Sequence, residues 1–312
     1  MAIEPLSFPE LILIIRFNVF IEFICIIKND IMKTILVPTD FSPNANKALN
    51  FAAEIASCAN AAIILVNVST LVDTPFREKT FLEKKHDLPM DEAVKKELDM
   101  VCKEVSDTMH IKVSAQVYAG TVVSSVVSAA EDNEADMIIM GTLGDTGFKE
   151  KLLGSVTAAV IGKVNIPVLA VPLLSEWNVP KNILLAINHF DEKPQYARVA
   201  VELARMFYSK LTVAVFTDED SAVPSDYMEN TRGVLYYEQE LESMHKDTRI
   251  EPARLYGHKF EDTIDEYIRI NDVDMLVMFT HKRGLVGSIF NRSMTKKMSY
   301  HTNIPLLAIP VQ

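Results

Sequence analysis

Three glycines and a serine, Gly141, Gly144, Gly154 and Ser155, stand in the order Gly-x2-Gly-x9-Gly-Ser directly after the apolar run "DMIIM". A glycine lets the backbone turn sharply, or lets a ligand approach where a Cβ would block it. Where the last pair opens a helix, unpaired N–H groups and the positive end of the helix dipole converge, which suits a phosphate. The chemistry this spacing could do is the holding of an anion, with a connecting loop long enough to fold over a polyphosphate. Later in the chain the corresponding stretch reads differently. Phe279, Lys282 and Arg292 stand where the glycines were, and only the serine persists, as Ser293. There Lys282, Arg283, Arg292, Lys296 and Lys297 form either a new anion site or, more simply, a solvated basic face.

Other chemistry is thinly represented. Asp40, just past another apolar run, could carry a metal ion bridging phosphates, yet no acid, base and nucleophile set accompanies it. The expectation is a module that holds its ligand, with at most slow hydrolysis. His86, His110, His189, His245, His258, His281 and His301 lack the paired spacing of a metal site. Cys25, Cys58 and Cys102 form an odd set without CxxC, which suggests neither a disulfide framework nor a thiolate metal centre and fits a reducing cytoplasm. A formal charge of −11 argues against a sequence-independent grip on nucleic acid, because that grip comes from Lys and Arg on phosphates. Any phosphate must be held locally.

The elements that position these residues come as a repeat. Residues 115–172 align without a gap on 253–310, matching "ADMIIMGT" with "VDMLVMFT" and "NIPVLAVP" with "NIPLLAIP". The beginnings correspond as well, "KTILVPTDFSPNANKAL" with "KNILLAINHFDEKPQYA", which places Asn188 where Asp40 stands. The chain thus divides into residues 32–172 and 178–312, joined through "LLSEW". Within the first unit, apolar runs at 34–39, 62–68, 112–118, 136–141 and 167–172 alternate with helical patterns at 42–60, 90–109, 121–133 and 155–163. Ser42 and Pro43 mark the first helix start. Such alternation predicts βαβ units around a parallel sheet buried on both faces, where ligands bind beyond the carboxyl ends of the strands. The apolar run at 11–27 is interrupted by Arg16 and Glu22 and shorter than the roughly 20 residues a spanning helix needs. Membrane insertion is not expected. Residues 1–31 read as an extension upstream of a start at Met32.

With the glycine string, "ILVPTDFS" and "NIPVLAVP" in view, residues 32–310 resemble the universal stress proteins, as a tandem pair. The resemblance implies an α/β fold of two tandem five-stranded parallel sheets with helices on both faces, in the order 3-2-1-4-5 of the adenine nucleotide alpha hydrolase-like class. It implies ATP or another adenine nucleotide as ligand, possible Mg with it through Asp40, and binding by the first unit only. The positions matching the nucleotide site are Pro38, Thr39, Asp40, Val68, Gly120, Met140, Gly141, Gly144, Gly154, Ser155, Val156 and Thr157. Asp145 and Leu143 depart from the family pattern in the phosphate loop, where Lys149 and Lys151 offset the added charge. The family pairs last strands in a dimer, so the two units are expected to make that contact within one chain, with a further homodimer open. The rival expectation is a nucleotide-free scaffold that recruits protein partners.

Overall fold

The computed structural model describes residues 32–69, 92–142, 154–187, 193–244, 246–281 and 303–311. In the first unit β1 (Thr34–Pro38), β2 (Ala62–Ser69), β3 (Val113–Ala119), β4 (Met137–Gly141) and β5 (Val168–Val171) alternate with α1 (Pro43–Ala59), α2 (Glu92–Met109), α3 (Val122–Asp132) and α4 (Ser155–Ile161). The second unit follows with β6 (Asn182–Ile187), a short 3-10 helix (Pro194–Ala197), α5 (Arg198–Phe207), β7 (Lys210–Asp218) and α6 (Pro224–Met244). It ends with β8 (Arg249–Gly257), α7 (Phe260–Ile270), β9 (Met275–His281) and β10 (Leu306–Val311).

Local chemistry explains the boundaries. The Ser42 hydroxyl accepts the Ala45 N–H at 3.2 Å, Pro43 fills the first turn of α1, and Asn60 closes the helix in a left-handed conformation. Such a cap contributes about 1 kcal/mol. A fully buried Ile or Leu contributes roughly 1.5–3 kcal/mol. The cap therefore fixes where α1 begins, while Leu49, Phe51 and Ile55 on its buried face make it form.

The strand order is β3-β2-β1-β4-β5-β10-β9-β6-β7-β8. Each half has the expected 3-2-1-4-5 order, but the two sheets are one: β5 and β10 pair antiparallel, Leu169 opposite Leu307. An apolar edge strand with unpaired backbone groups seeks a partner, and here each unit supplies the other's. One core layer runs across both halves on one face, including Ile35, Phe51, Ile183, Val201 and Leu307. The opposite face keeps two separate layers, one with α3 and α4 and one with α7. Trp177 of the connecting segment makes edge-on contacts with Phe51 at 5.1 Å and Phe207 at 5.8 Å, tying α1 to α5.

Because β5 and β10 run in opposite directions, the carboxyl ends of one unit's strands lie along the margin that holds the amino ends of the other's. The two ligand-facing margins therefore open to opposite sides. Each amino end carries a carboxylate clamp that sequence reading missed. Asp136 Oδ2 accepts the N–H groups of Lys33 and Thr34 at 2.7 and 2.9 Å, and Asp274 does the same for Lys181 and Asn182 at 2.7 and 2.9 Å. Among the described residues no helix is long and apolar enough to cross a membrane; the apolar run 11–27 lies outside them.

Candidate functional site at the carboxyl ends of the first unit

Strand β1 lies between β2 and β4, so the crossovers from β1 and from β3 depart to opposite sides, and a crevice opens between the ends of β1 and β4. The β1 side is held rigidly. Thr39 is buried, its N–H donates to Val66 O at 2.9 Å, its carbonyl accepts Asn67 Nδ2 at 3.0 Å, and its hydroxyl accepts the Phe41 N–H at 3.1 Å. Two of these bonds tie Thr39 to β2 and the third holds the turn, which Phe41 completes at φ 60°. Asp40 follows Pro38 and Thr39 into solvent. One carboxylate oxygen accepts the Ser42 N–H at 3.1 Å, and the other has no donor among the described residues. The turn leaves an exposed anionic side chain at the end of β1.

On the β4 side, Gly141 is explained by packing. A Cβ there would fall 2.5 Å from Asn44 Nδ2 and 2.8 Å from Asn44 O, distances real side chains do not reach. The expected open hollow at Gly141 is thus filled by the first turn of α1, and the glycine permits the close seat. Its carbonyl accepts the Thr157 hydroxyl at 2.8 Å, while the Gly154 N–H donates to the Thr142 carbonyl. These two bonds pull the start of α4 against the end of β4. Gly154 caps α4 without a side-chain hydrogen bond, so the N–H groups of Ser155, Val156 and Thr157 lack intrahelical acceptors, as at any helix start. Ser155 is exposed, Val156 half-buried and Thr157 buried.

The remaining predicted positions divide. Val68 is half-buried near the end of β2, one residue before Ser69, which pairs with Ala119 ahead of Gly120. Gly120 has φ +132°, a conformation that favours glycine, and it bends the β3–α3 connection over the same margin. Met140 is enclosed in the core beside Leu36, Val66 and Ile138, so its side chain is taken up by packing. Gly144, with the loop from 143 to 153, lies outside the described residues. Three residues that sequence reading passed over also belong here: Asn44, Asn67 and Thr142. Thr142 is 3% exposed, and its hydroxyl has no partner among the described residues. The available signal was a polar residue ending an otherwise apolar run, in "MGT" and again in "MFT".

The second unit's margin is built differently. Phe279 is buried in the core layer at the position of Gly141, and α5 starts at Arg198, several residues later than the correspondence with α1 predicts. His258 stands where the first unit has Gly120. Its Nδ1 lies 2.8 Å from Asp220 Oδ1, and that hydrogen bond, then the Asp220 charge, raise the imidazole above its ordinary pKa, with Glu219 and Asp218 adding to the effect. Asn188, Lys282, Arg283, Arg292, Ser293, Lys296 and Lys297 lie outside the described residues. Among the described residues no group of three or more His, Cys, Asp or Glu side chains is placed to hold a metal ion.

Comparison with known proteins agrees with this architecture. The family model described as "Universal stress protein family" matches residues 32–172 and again residues 180–310. Universal stress protein MJ0577 of Methanocaldococcus jannaschii is 35% identical over 153 residues, covering 45% of this chain and 94% of that protein. Universal stress protein MJ0531 of the same organism is 34% identical over 154 residues, covering 47% of this chain and 86% of that protein. A universal stress protein structure from Archaeoglobus fulgidus superposes with a TM-score of 0.70 at 18% identity, covering 89% of this chain and 98% of that one, and so shares the whole tandem fold. With two family matches on the two halves of one sheet, the chain belongs to the universal stress protein family and carries its domain twice.

Proposed function

We propose that the first unit binds an adenine nucleotide, ATP foremost, and that the second unit keeps the fold without that site. The observation that carries this reading is the margin assembled at the β1/β4 crevice. There the unpaired N–H groups at the start of α4 are drawn to the end of β4 by the Thr157–Gly141 and Gly154–Thr142 bonds, within reach of the Asp40 turn. Those N–H groups suit phosphate oxygens. Val68 and the Gly120 connection would flank the nucleoside, and Gly144 would complete the phosphate loop. The donor set fits the group: N–H groups for the anion, an outward carboxylate oxygen at Asp40 for a Mg ion accompanying it, and a buried Thr142 hydroxyl still lacking a partner among the described residues. A bound nucleotide supplies a signal or a structural ligand. We read the first unit as a module that holds its nucleotide, with hydrolysis expected below the low end of enzyme rates, about 1 per second. The odd cysteine set without CxxC supports a reducing, cytoplasmic setting for this module.

The second unit supports the contrast. Phe279 fills core space beneath its crevice, and acidic Asp218, Glu219 and Asp220, with His258 held by Asp220, stand at the ends of β7 and β8 where the first unit has Ser69 and Gly120. The rival reading, a nucleotide-free scaffold, is favoured by one observation: Asn44 accounts for Gly141 without a ligand. For that reason Gly141→Phe is a poor test, since it disturbs the α1 seat. Equilibrium dialysis with labelled ATP on the wild type and Gly154→Arg is the better one. Binding by the wild type and its loss in the variant, at unchanged thermal unfolding, is the expected result; equal binding, or none by either, rejects the proposal.

A further inference from the structure

The outer face of α6 differs from that of its counterpart in the first unit, and the difference goes beyond nucleotide binding. On α2 the solvent side carries Lys95, Lys96, Asp99 and Lys103 with a single exposed Met100. On α6, Met228 and Leu235 stand two turns apart on the side opposite buried Val234, Tyr237 and Leu241, and they are 58% and 43% exposed. Tyr236, at 56%, stands further round the helix, beyond exposed Arg232 and Gln239. On one flank, Tyr227 stacks with Tyr256 of the sheet-edge strand β8 at 5.7 Å. Exposed Tyr, Met and Leu gathered along one element mark an interaction surface rather than an ordinary solvated helix.

Charge indicates what covers it. Arg254 of β8 reaches the same flank, where its Nη1 donates to Thr231 Oγ1 at 3.2 Å. Glu238 lies seven residues beyond Thr231, on the same flank and about 10 Å further along the axis. Neither Arg254 nor Glu238 forms an ion pair among the described residues. Burial first, then the neighbouring Glu242 and Glu251, push the Glu238 carboxyl up. A two-fold axis perpendicular to an antiparallel helix pair keeps each flank on its own side and reverses its order. With the axis beside Leu235, Arg254 of each copy therefore meets Glu238 of the other, and the two Leu235 side chains meet each other. At these positions the two flanks are self-complementary, as an isologous interface requires.

We propose that α6, with Arg254 of β8, is the interface through which two copies of this chain associate, α6 against α6 in antiparallel orientation about Leu235. It leaves the β5–β10 seam inside each chain and the first unit's crevice free. Sedimentation velocity on the full chain across a concentration series tests it. The wild type forms a dimer, and Leu235→Glu leaves a monomer with an unchanged unfolding curve. Glu238→Arg and Arg254→Glu, taken singly, each weaken association about tenfold. Joined in one chain they restore it, a recovery that damage to folding would not produce. A wild type that stays monomeric throughout, or a dimer indifferent to all four variants, overturns the proposal.

Discussion

Gly120 shows most plainly what a single residue contributes to this margin. At φ +132° any side chain strains the backbone, and a Cβ would also come 3.4 Å from Ser125 Oγ. Gly120→Ala is expected to cost about 1–3 kcal/mol in urea unfolding, a loss seen without any ligand. The corresponding His258 makes a different prediction. Its folded pKa is raised by Asp220, so the contact is fully stabilising below the unfolded imidazole value and is lost as pH rises through the folded one. NMR titration of the His258 ring should find a midpoint above that of a free imidazole, and Asp220→Asn should lower it. A midpoint indifferent to Asp220→Asn would contradict the assignment. The pair is wholly exposed and serves as a local clasp between the loops after β7 and β8, not as a source of global stability.

At the scale of elements, the carboxylate clamps have the larger energetic role. Asp136 holds two backbone N–H groups at the entry of β1, a central strand, and Asp136→Ala leaves both without their acceptor. A loss of about 1–3 kcal/mol is expected in thermal or denaturant unfolding, and a similar one for Asp274→Ala. An unchanged midpoint would show that water replaces the carboxylate freely. The sequence made the strands and helices legible because their periods are clean: the apolar runs of β1, β2, β4 and β5 need burial on both faces, and Ser42-Pro43 spells a helix start. Asp136 was not legible as a clamp. Its partners lie about a hundred residues away, and nothing local distinguishes it from a surface acid. Gly141 was legible as a position intolerant of a side chain, but the reason turned out to be Asn44, a contact between α1 and β4 that only the folded chain reveals. Thr142 carried only the signal of a polar residue closing the apolar run of β4.

Taken whole, the molecule is a repeat whose halves differ in sequence at their ligand-facing margins while sharing one sheet. The seam at β5 and β10 makes an internal dimer out of one chain, so that the two copies of the domain are free to differ. The antiparallel seam also turns the two margins to opposite sides, so the nucleotide proposed for the first need not be shared by the second, whose crevice has Phe279 beneath it. The continuous core layer and Trp177 join the halves mechanically. The measurement that reaches the central claim most directly is a crystal structure of the chain grown with Mg and ATP. Density for one nucleotide per chain, at the crevice between Asp40 and the start of α4, is the predicted result. Density beside His258 instead, in both halves, or in neither would contradict it.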